Sequence, residues 1–190
     1  MAEGLSADHG EIEADFKAGS TSQLNMFDIY LTDELVPEDE EDGVKKDTGT
    51  KAAYGKIHIG DYSETFVAIL HYWTPAQYAW QWETALRRII EGRDRSALIT
   101  SYVEAAPERF LFWWVLYREN DIVYIQNQML FFDQLDKAFS VEHPWESVGA
   151  RETITEEGRE ISEWTTSIED VRECLERKTK DGSGLTGYIH

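Results

Sequence analysis

Residues 110–132 read Phe-Leu-Phe-Trp-Trp-Val-Leu-Tyr-Arg-Glu-Asn-Asp-Ile-Val-Tyr-Ile-Gln-Asn-Gln-Met-Leu-Phe-Phe. Two apolar runs, Phe110 to Tyr117 and Ile122 to Phe132, are joined by Arg118-Glu119-Asn120-Asp121, whose polar, turn-forming residues fit a β-hairpin. Runs this apolar predict two strands at the centre of a sheet.

Upstream, Ser96-Ala97-Leu98-Ile99-Thr100-Ser101-Tyr102-Val103 predicts another strand, interrupted by Pro107. Before it, Thr74-Pro75 is an N-cap and N1 pair, and Tyr78, Trp82, Ala85, Leu86 and Ile89 recur at helical spacing until Gly92, which predicts a helix from Pro75 to Glu91. Ile57 and Ile59 alternate with Lys56 and His58, and past the Gly60-Asp61 turn signal the strand formers Thr65 to Trp73 predict a hairpin leading into a buried strand. Downstream, Arg151–Ile154 and Ile161–Trp164 around Glu156-Glu157-Gly158 suggest a second hairpin. Ser167 then caps a helix with Ile168, Val171 and Leu175 on one face, and Lys178 to His190, with Gly182-Ser183-Gly184, reads as a frayed, flexible end. Hairpins force antiparallel neighbours and no regular βαβ alternation is present, so the class is α+β: a mostly antiparallel sheet of hairpins with helices packed on one face.

The 190 residues suit one ordinary domain plus a tail, and 42% hydrophobic with 13% aromatic residues requires a packed core. Residues 1–55 hold 14 acidic and 4 basic residues, whereas all seven tryptophans come later. The division expected is an acidic, partly disordered extension over 1–53, a single α+β domain over 54–178 and a flexible tail over 179–190. Glu38-Asp39-Glu40-Glu41-Asp42 reads as a solvated loop, because like charges repel one another. Met26 to Val36 alternates apolar and acidic residues, as an edge strand or short helix docked on a partner or on its own domain would. No repeat of fixed period is present.

Against 37 acids stand 18 Lys plus Arg, and a net charge of −19 repels phosphate backbones and anionic lipid, which disfavours nucleic-acid and membrane-surface partners. The single cysteine, Cys174, allows neither an intramolecular disulfide nor a zinc spacing and fits a reducing cytoplasm. The N-terminus lacks the basic and apolar regions of a signal peptide, and no window reaches membrane-span length, so a soluble cytoplasmic protein is expected.

Little in the sequence points to catalysis. The five histidines are scattered singly; His71 reads as a core or edge histidine and His143 as a loop residue. Cys174 lies between Glu173 and Leu175, where negative charge opposes a thiolate, and reads as a structural thiol. GxSxG and GxxxxGK[ST] are absent, the GxGxxG spacing of Gly182-Ser183-Gly184-Leu185-Thr186-Gly187 falls in the polar end read as flexible, and no metal or cofactor is expected. The carboxylate pairs Asp133 with Asp136 and Glu156 with Glu157 could serve glycoside hydrolysis, but in a chain with 37 acids such pairs also arise by chance.

Three stretches carry a resemblance: Tyr72-Trp73, Tyr78 and Trp82-Glu83-Thr84-Ala85-Leu86; then Ser96 to Thr100 with Trp113-Trp114-Val115-Leu116-Tyr117-Arg118 and Val123-Tyr124-Ile125-Gln126-Asn127; then Arg151-Glu152-Thr153, Glu157-Gly158 and Ile161-Ser162-Glu163-Trp164. Over roughly Phe66 to Leu175 the chain resembles the immunity-protein family of bacterial contact-dependent growth inhibition systems. The resemblance implies a small cytoplasmic protein, not an enzyme, that binds and blocks the C-terminal toxin domain of a cell-surface effector. A nuclease toxin must hold phosphates and is commonly basic, and a net charge of −19 would steer this chain to it. The contacts expected are exposed acids at turns and loops: Asp61, Glu64, Glu119, Asp121, Asp133 and Asp136. Two alternatives stay open: an acidic nucleic-acid mimic or general adaptor for basic proteins, and a carboxylate-based glycosidase.

Overall fold

The structure, a computed structural model, describes residues 26–36, 40–41, 44–45, 51–106 and 109–180. The expectations for the first residues of the chain and for Gly182-Ser183-Gly184 lie outside the described residues. In chain order the elements are β1 (Phe27–Leu35), β2 (Glu40–Glu41), β3 (Val44–Lys45), β4 (Ala52–Ile59), β5 (Tyr62–Ile69), α1 (Pro75–Ile90), β6 (Arg95–Ser101), β7 (Phe110–Glu119), β8 (Ile122–Phe131), β9 (Trp164–Ser167) and α2 (Ile168–Lys180). Short 3-10 turns lie at Phe132–Gln134 and Pro144–Ser147.

The predicted hairpin forms as β7 and β8, in register from Phe110 opposite Phe131 to Glu119 opposite Ile122. Asn120 adopts the left-handed conformation, φ 56°, that its short amide side chain tolerates in tight turns. The hairpin holds the middle of a four-stranded antiparallel sheet ordered β6-β7-β8-β9, as its apolar content requires. The class is α+β and antiparallel as expected, with the strands in two main sheets: β1, β4 and β5 form a separate three-stranded antiparallel sheet, and β2 pairs with β3 as a two-residue ladder. Gly55 faces Phe66 across the β4–β5 pair, and a Cβ there would lie 2.3 Å from the Phe66 ring. The missing side chain seats that ring, which meets Trp82 edge-on with centroids 5.9 Å apart.

α1 starts where the Thr74-Pro75 signal placed it. The Thr74 hydroxyl accepts from the Gln77 N–H at 3.3 Å while the Gln77 side chain accepts from the Thr74 N–H at 2.8 Å, a reciprocal capping box. At α2, the Ser167 hydroxyl accepts from the Asp170 N–H at 3.0 Å. Both helices also seal sheet edges. Along β6, Gln81 donates to the Ala97 carbonyl at 2.8 Å and accepts from the Ile99 N–H at 3.0 Å, so its amide stands in for a further strand. Trp82 Nε1 donates to the Ile99 carbonyl at 2.7 Å and Arg88 Nε to the Arg95 carbonyl at 3.0 Å. Along β1, Arg177 Nη2 donates to the Phe27 carbonyl at 2.8 Å, Lys178 Nζ donates to the Ile29 carbonyl, and Lys178 pairs with Asp28 at 2.9 Å. Unpaired backbone groups that would template foreign strands are thereby occupied.

The two sheets and two helices close on one core. It holds Phe27, Ile29 and Ile57 from the first sheet, Leu98, Trp114, Leu116 and Ile125 from the second, Tyr78, Trp82, Leu86 and Ile89 from α1, and Val171 and Cys174 from α2. Tyr62 joins the sheets, stacked on Trp164 at 4.2 Å and 6.3 Å from Trp114.

Several expectations meet a different arrangement. The boundary at Ala53 falls inside β4, and β1 ahead of it places Phe27 and Ile29 in the core, so the stretch Met26–Val36 supplies an edge strand, Phe27–Leu35, to the same core. Inside the acidic run expected as a loop, Glu40–Glu41 pairs with Val44–Lys45. β5 ends at Ile69 and exposes Ser63, Thr65 and Val67 on its outer face, in place of a buried strand reaching Trp73. His71, expected in the core or at an edge, is exposed in the turn after β5, edge-on to Tyr72 at 4.8 Å. The hairpin expected over 151–164 is reduced to a single bridge between Ile154 and Glu160, because Trp164 turns away to pair β9 with β8. Lys178 to Lys180, expected in the frayed end, are the last turn of α2.

Candidate functional site

The six acids singled out from the sequence occupy three places. Asp61 sits exposed in the β4–β5 turn, whereas Glu64, expected as an exposed turn acid, lies three residues on, half-buried within β5. Glu119 and Asp121 flank the β7–β8 turn; Asp133 and Asp136 follow the opposite end of β8. Ten-residue strands separate the last two pairs by about 30 Å at the usual strand rise of about 3.3 Å per residue. The fold therefore splits these acids between the ends of one hairpin.

Their surroundings differ. Glu64 accepts from the Tyr62 hydroxyl and, at 2.9 Å, from Asn127 Nδ2, a bond between the two sheets. Burial first, and then the bonded Glu64 carboxylate, pushes the Tyr62 hydroxyl up to about 12. Glu119 is paired with Arg151 at 3.0 Å. The carboxylates of Asp121, Asp133 and Asp136 belong to exposed residues.

Arg151 and its partners are a network the sequence reading missed. The Arg151 guanidinium lies 3.5 Å from the Tyr124 ring centroid, donates to both Glu163 oxygens at 2.8 and 2.6 Å, and reaches Glu119. Gln126 donates to Glu163 at 2.8 Å and to the Glu152 carbonyl at 2.8 Å. The Arg151 hydrogen bonds, more than any other influence, hold the Glu163 carboxyl below the ordinary carboxylate range. The effect is to fasten the 149–163 segment to β8; a single Arg and a single Glu twelve positions apart carry no local signal of it.

The groups considered for chemistry are disposed as follows. Cys174 is fully buried, its thiol pushed up to about 12 mainly by burial, and Sγ donates to Asp28 at 3.4 Å. That is the structural thiol expected. Among the described residues no group of three or more His, Cys, Asp or Glu is placed to hold a metal ion. Asp133 and Asp136 are exposed, and Glu156 and Glu157 sit exposed on a turn. Bonds to the Thr155 hydroxyl and backbone hold the Glu157 carboxyl below its ordinary value. Of the tryptophans, Trp73, Trp82, Trp113 and Trp114 are core, while Trp80 is 44% exposed on α1. Also missed was the exposure of Phe110, Phe112, Met129 and Phe131 at the open end of the β7–β8 hairpin, because an apolar run reads as buried whichever face it presents.

This surface, with two distinct acidic ends and an apolar corner, suits protein recognition. The sequence model of the CdiI N-terminal domain matches residues 68–174, nearly the stretch over which the resemblance was drawn. Immunity protein CdiI of Enterobacter cloacae subsp. cloacae is 35% identical over 115 residues, 60% of this chain and 79% of that protein. The solved CdiA-CT/CdiI toxin and immunity complex from Enterobacter cloacae contains a chain that matches with a TM-score of 0.68 and 30% identity, over 82% of this chain and 99% of that one. No helix among the described residues is long and apolar enough to cross a membrane. With the family segment spanning more than half of the sequence and the fold shared with a solved member, the chain belongs to the CdiI family of contact-dependent growth inhibition immunity proteins.

Proposed function

We propose that this protein binds the C-terminal toxin domain of a contact-dependent inhibition effector and neutralises it by occupying its surface, without catalysis of its own. The observation that carries the reading is the match to a chain solved in a toxin and immunity complex, at 30% identity over 99% of that chain. The toxin is a basic nuclease, a reading supported by the net charge of −19, whose field accelerates encounter with a phosphate-binding surface. The site of action is the cytoplasm, where an antagonist of a delivered toxin must stand, and the unpaired Cys174 suits a reducing compartment.

The test is to produce the C-terminal toxin domain of a contact-dependent inhibition effector from the same bacterium and to measure its binding, its nuclease activity with and without this protein, and the salt dependence of association. A tight one-to-one complex that abolishes activity is expected, with an association rate falling steeply as salt rises. Failure to bind refutes the reading. The same charge supports a second reading, a general mimic of nucleic acid. It is separated by competition, since unrelated basic nucleases would then displace the cognate toxin at comparable concentrations.

A further inference from the structure

Of the eleven large apolar side chains exposed among the described residues, four stand at one end of the β7–β8 hairpin: Phe110, Phe112, Met129 and Phe131, each 39–41% exposed. The register sets Phe110 opposite Phe131 and Phe112 opposite Met129, so strand alternation puts all four on the same face. Their rings touch: Phe110 meets Phe112 edge-on at 5.5 Å and Phe131 at 5.7 Å. Further along that face Trp114, Leu116 and Ile125 are buried in the core. The cover therefore ends at Trp114, two residues short of Phe112, and a groove of about 320 Å³ marks the seam, lined by Glu64, Phe66, Ile69, Phe112, Trp114 and Asn127 among others.

Contiguous exposed aromatic and Met side chains are what interface centres are made of, and a chain this charged has no solubility reason to display them. The surroundings specify the partner. Glu64 stands on the groove wall, and Asp133 follows Phe131 by two residues. The segment 132–142 beyond the platform carries Asp133, Asp136 and Glu142 against one Lys. An apolar centre with an acidic rim is complementary to an apolar protrusion ringed by Lys and Arg.

We infer that this platform, centred on Phe112 and Met129, is where the toxin domain docks, with Lys and Arg side chains of the toxin meeting Glu64, Asp133 and Asp136. The inference rests on the proposed function and deepens it. It divides the six acids: those beside the platform make contact, whereas Glu119 and Asp121, at the far end of the hairpin, act only through the long-range field.

The experiment measures binding of the purified toxin domain to the full-length protein and three double variants: Phe112→Ser with Met129→Ser, Asp133→Lys with Asp136→Lys, and Glu119→Lys with Asp121→Lys. Urea unfolding and circular dichroism check each fold. The expected results are a loss of about 100-fold or more in affinity for the apolar pair, mostly through faster dissociation. The Asp133/Asp136 pair slows association about tenfold and also shortens complex lifetime; the Glu119/Asp121 pair slows association alone. If the apolar pair unfolds the protein, Phe110→Lys at the outer corner replaces it, with a loss of about tenfold expected. Wild-type affinity in a folded platform variant overturns the inference while leaving the functional reading intact. So does a platform variant that only converts a dimer to monomer in sedimentation. Absence of binding by the wild-type protein overturns both.

Discussion

Replacing Gln81 by Met removes the side chain that closes the β6 edge while preserving length and most of the volume. Gln81 is 3% exposed, and its amide satisfies two backbone groups, the Ala97 carbonyl and the Ile99 N–H. A thioether offers neither bond. Each buried backbone group left unmatched costs about 1–3 kcal/mol. Removing the polar amide from the interior offsets about 1 kcal/mol of the sum, leaving a destabilisation of about 1–5 kcal/mol, with a central value of about 3 kcal/mol. In urea, with a slope of about 2 kcal/mol per molar, the midpoint falls by about 1–2 M; on heating, Tm falls by about 6–12 °C. Gln81→Glu sharpens the test. It keeps the bond from Ile99 but turns a carboxylate towards the Ala97 carbonyl, so it is less stable at pH 7 than at pH 4, where protonation restores a donor. The measurement is equilibrium urea unfolding followed by tryptophan fluorescence and by circular dichroism, with coincident transitions required. A Gln81→Met midpoint within about 0.5 M of wild type would refute the reasoning, since it would mean that the β6 edge is held without this amide.

Gly55→Ala places a Cβ against the Phe66 ring and costs about 2 kcal/mol in urea unfolding, part of which Phe66→Leu in the same chain restores. Glu163→Gln breaks the pair with Arg151, whose side chains are 16% and 22% exposed, and costs about 2 kcal/mol at pH 7. Because the folded Glu163 carboxyl lies below its ordinary value, its contribution is present above the unfolded pKa and is lost as pH falls through the depressed folded one, so mutant and wild-type stabilities converge in acid. Cys174, with its thiol raised to about 12, is expected to resist iodoacetamide at pH 8 until the protein is unfolded, as mass spectrometry would show. Its raised pKa contributes stability that is full below the unfolded thiol value and declines as pH rises towards about 12.

What could be read from the sequence was local. The α1 start is written in Thr74-Pro75, and the β7–β8 hairpin in a polar turn between two apolar runs, because both depend on backbone preferences within a few residues. The division into two sheets was hidden. β9 lies more than thirty residues past β8, and nothing in Trp164 to Ser167 names the strand it will pair with. Gln81 looks like an ordinary solvent-facing helix residue, and only the folded β6 edge gives its amide work. At the candidate site five of the six acids are exposed as expected, whereas Glu64 is half-buried on β5, and that Glu119 is paired with Arg151 depends on a contact 32 residues away. The exposure of Phe112 and Met129 depends on where another sheet happens to end.

The hydrogen bond from Arg177 to the Phe27 carbonyl joins residues 150 positions apart. During synthesis at roughly 5–20 residues per second, β1 waits about 8–30 s for the helix that closes its edge, and all of the intervening chain must emerge first. Nascent chains crowded on one messenger would offer one another that open row of backbone groups. Asp28, Asp33 and Glu34 lie along it. Their like charges make strand-to-strand pairing between unfinished copies unfavourable, so part of the acidity of this protein has a use before the chain has left the ribosome.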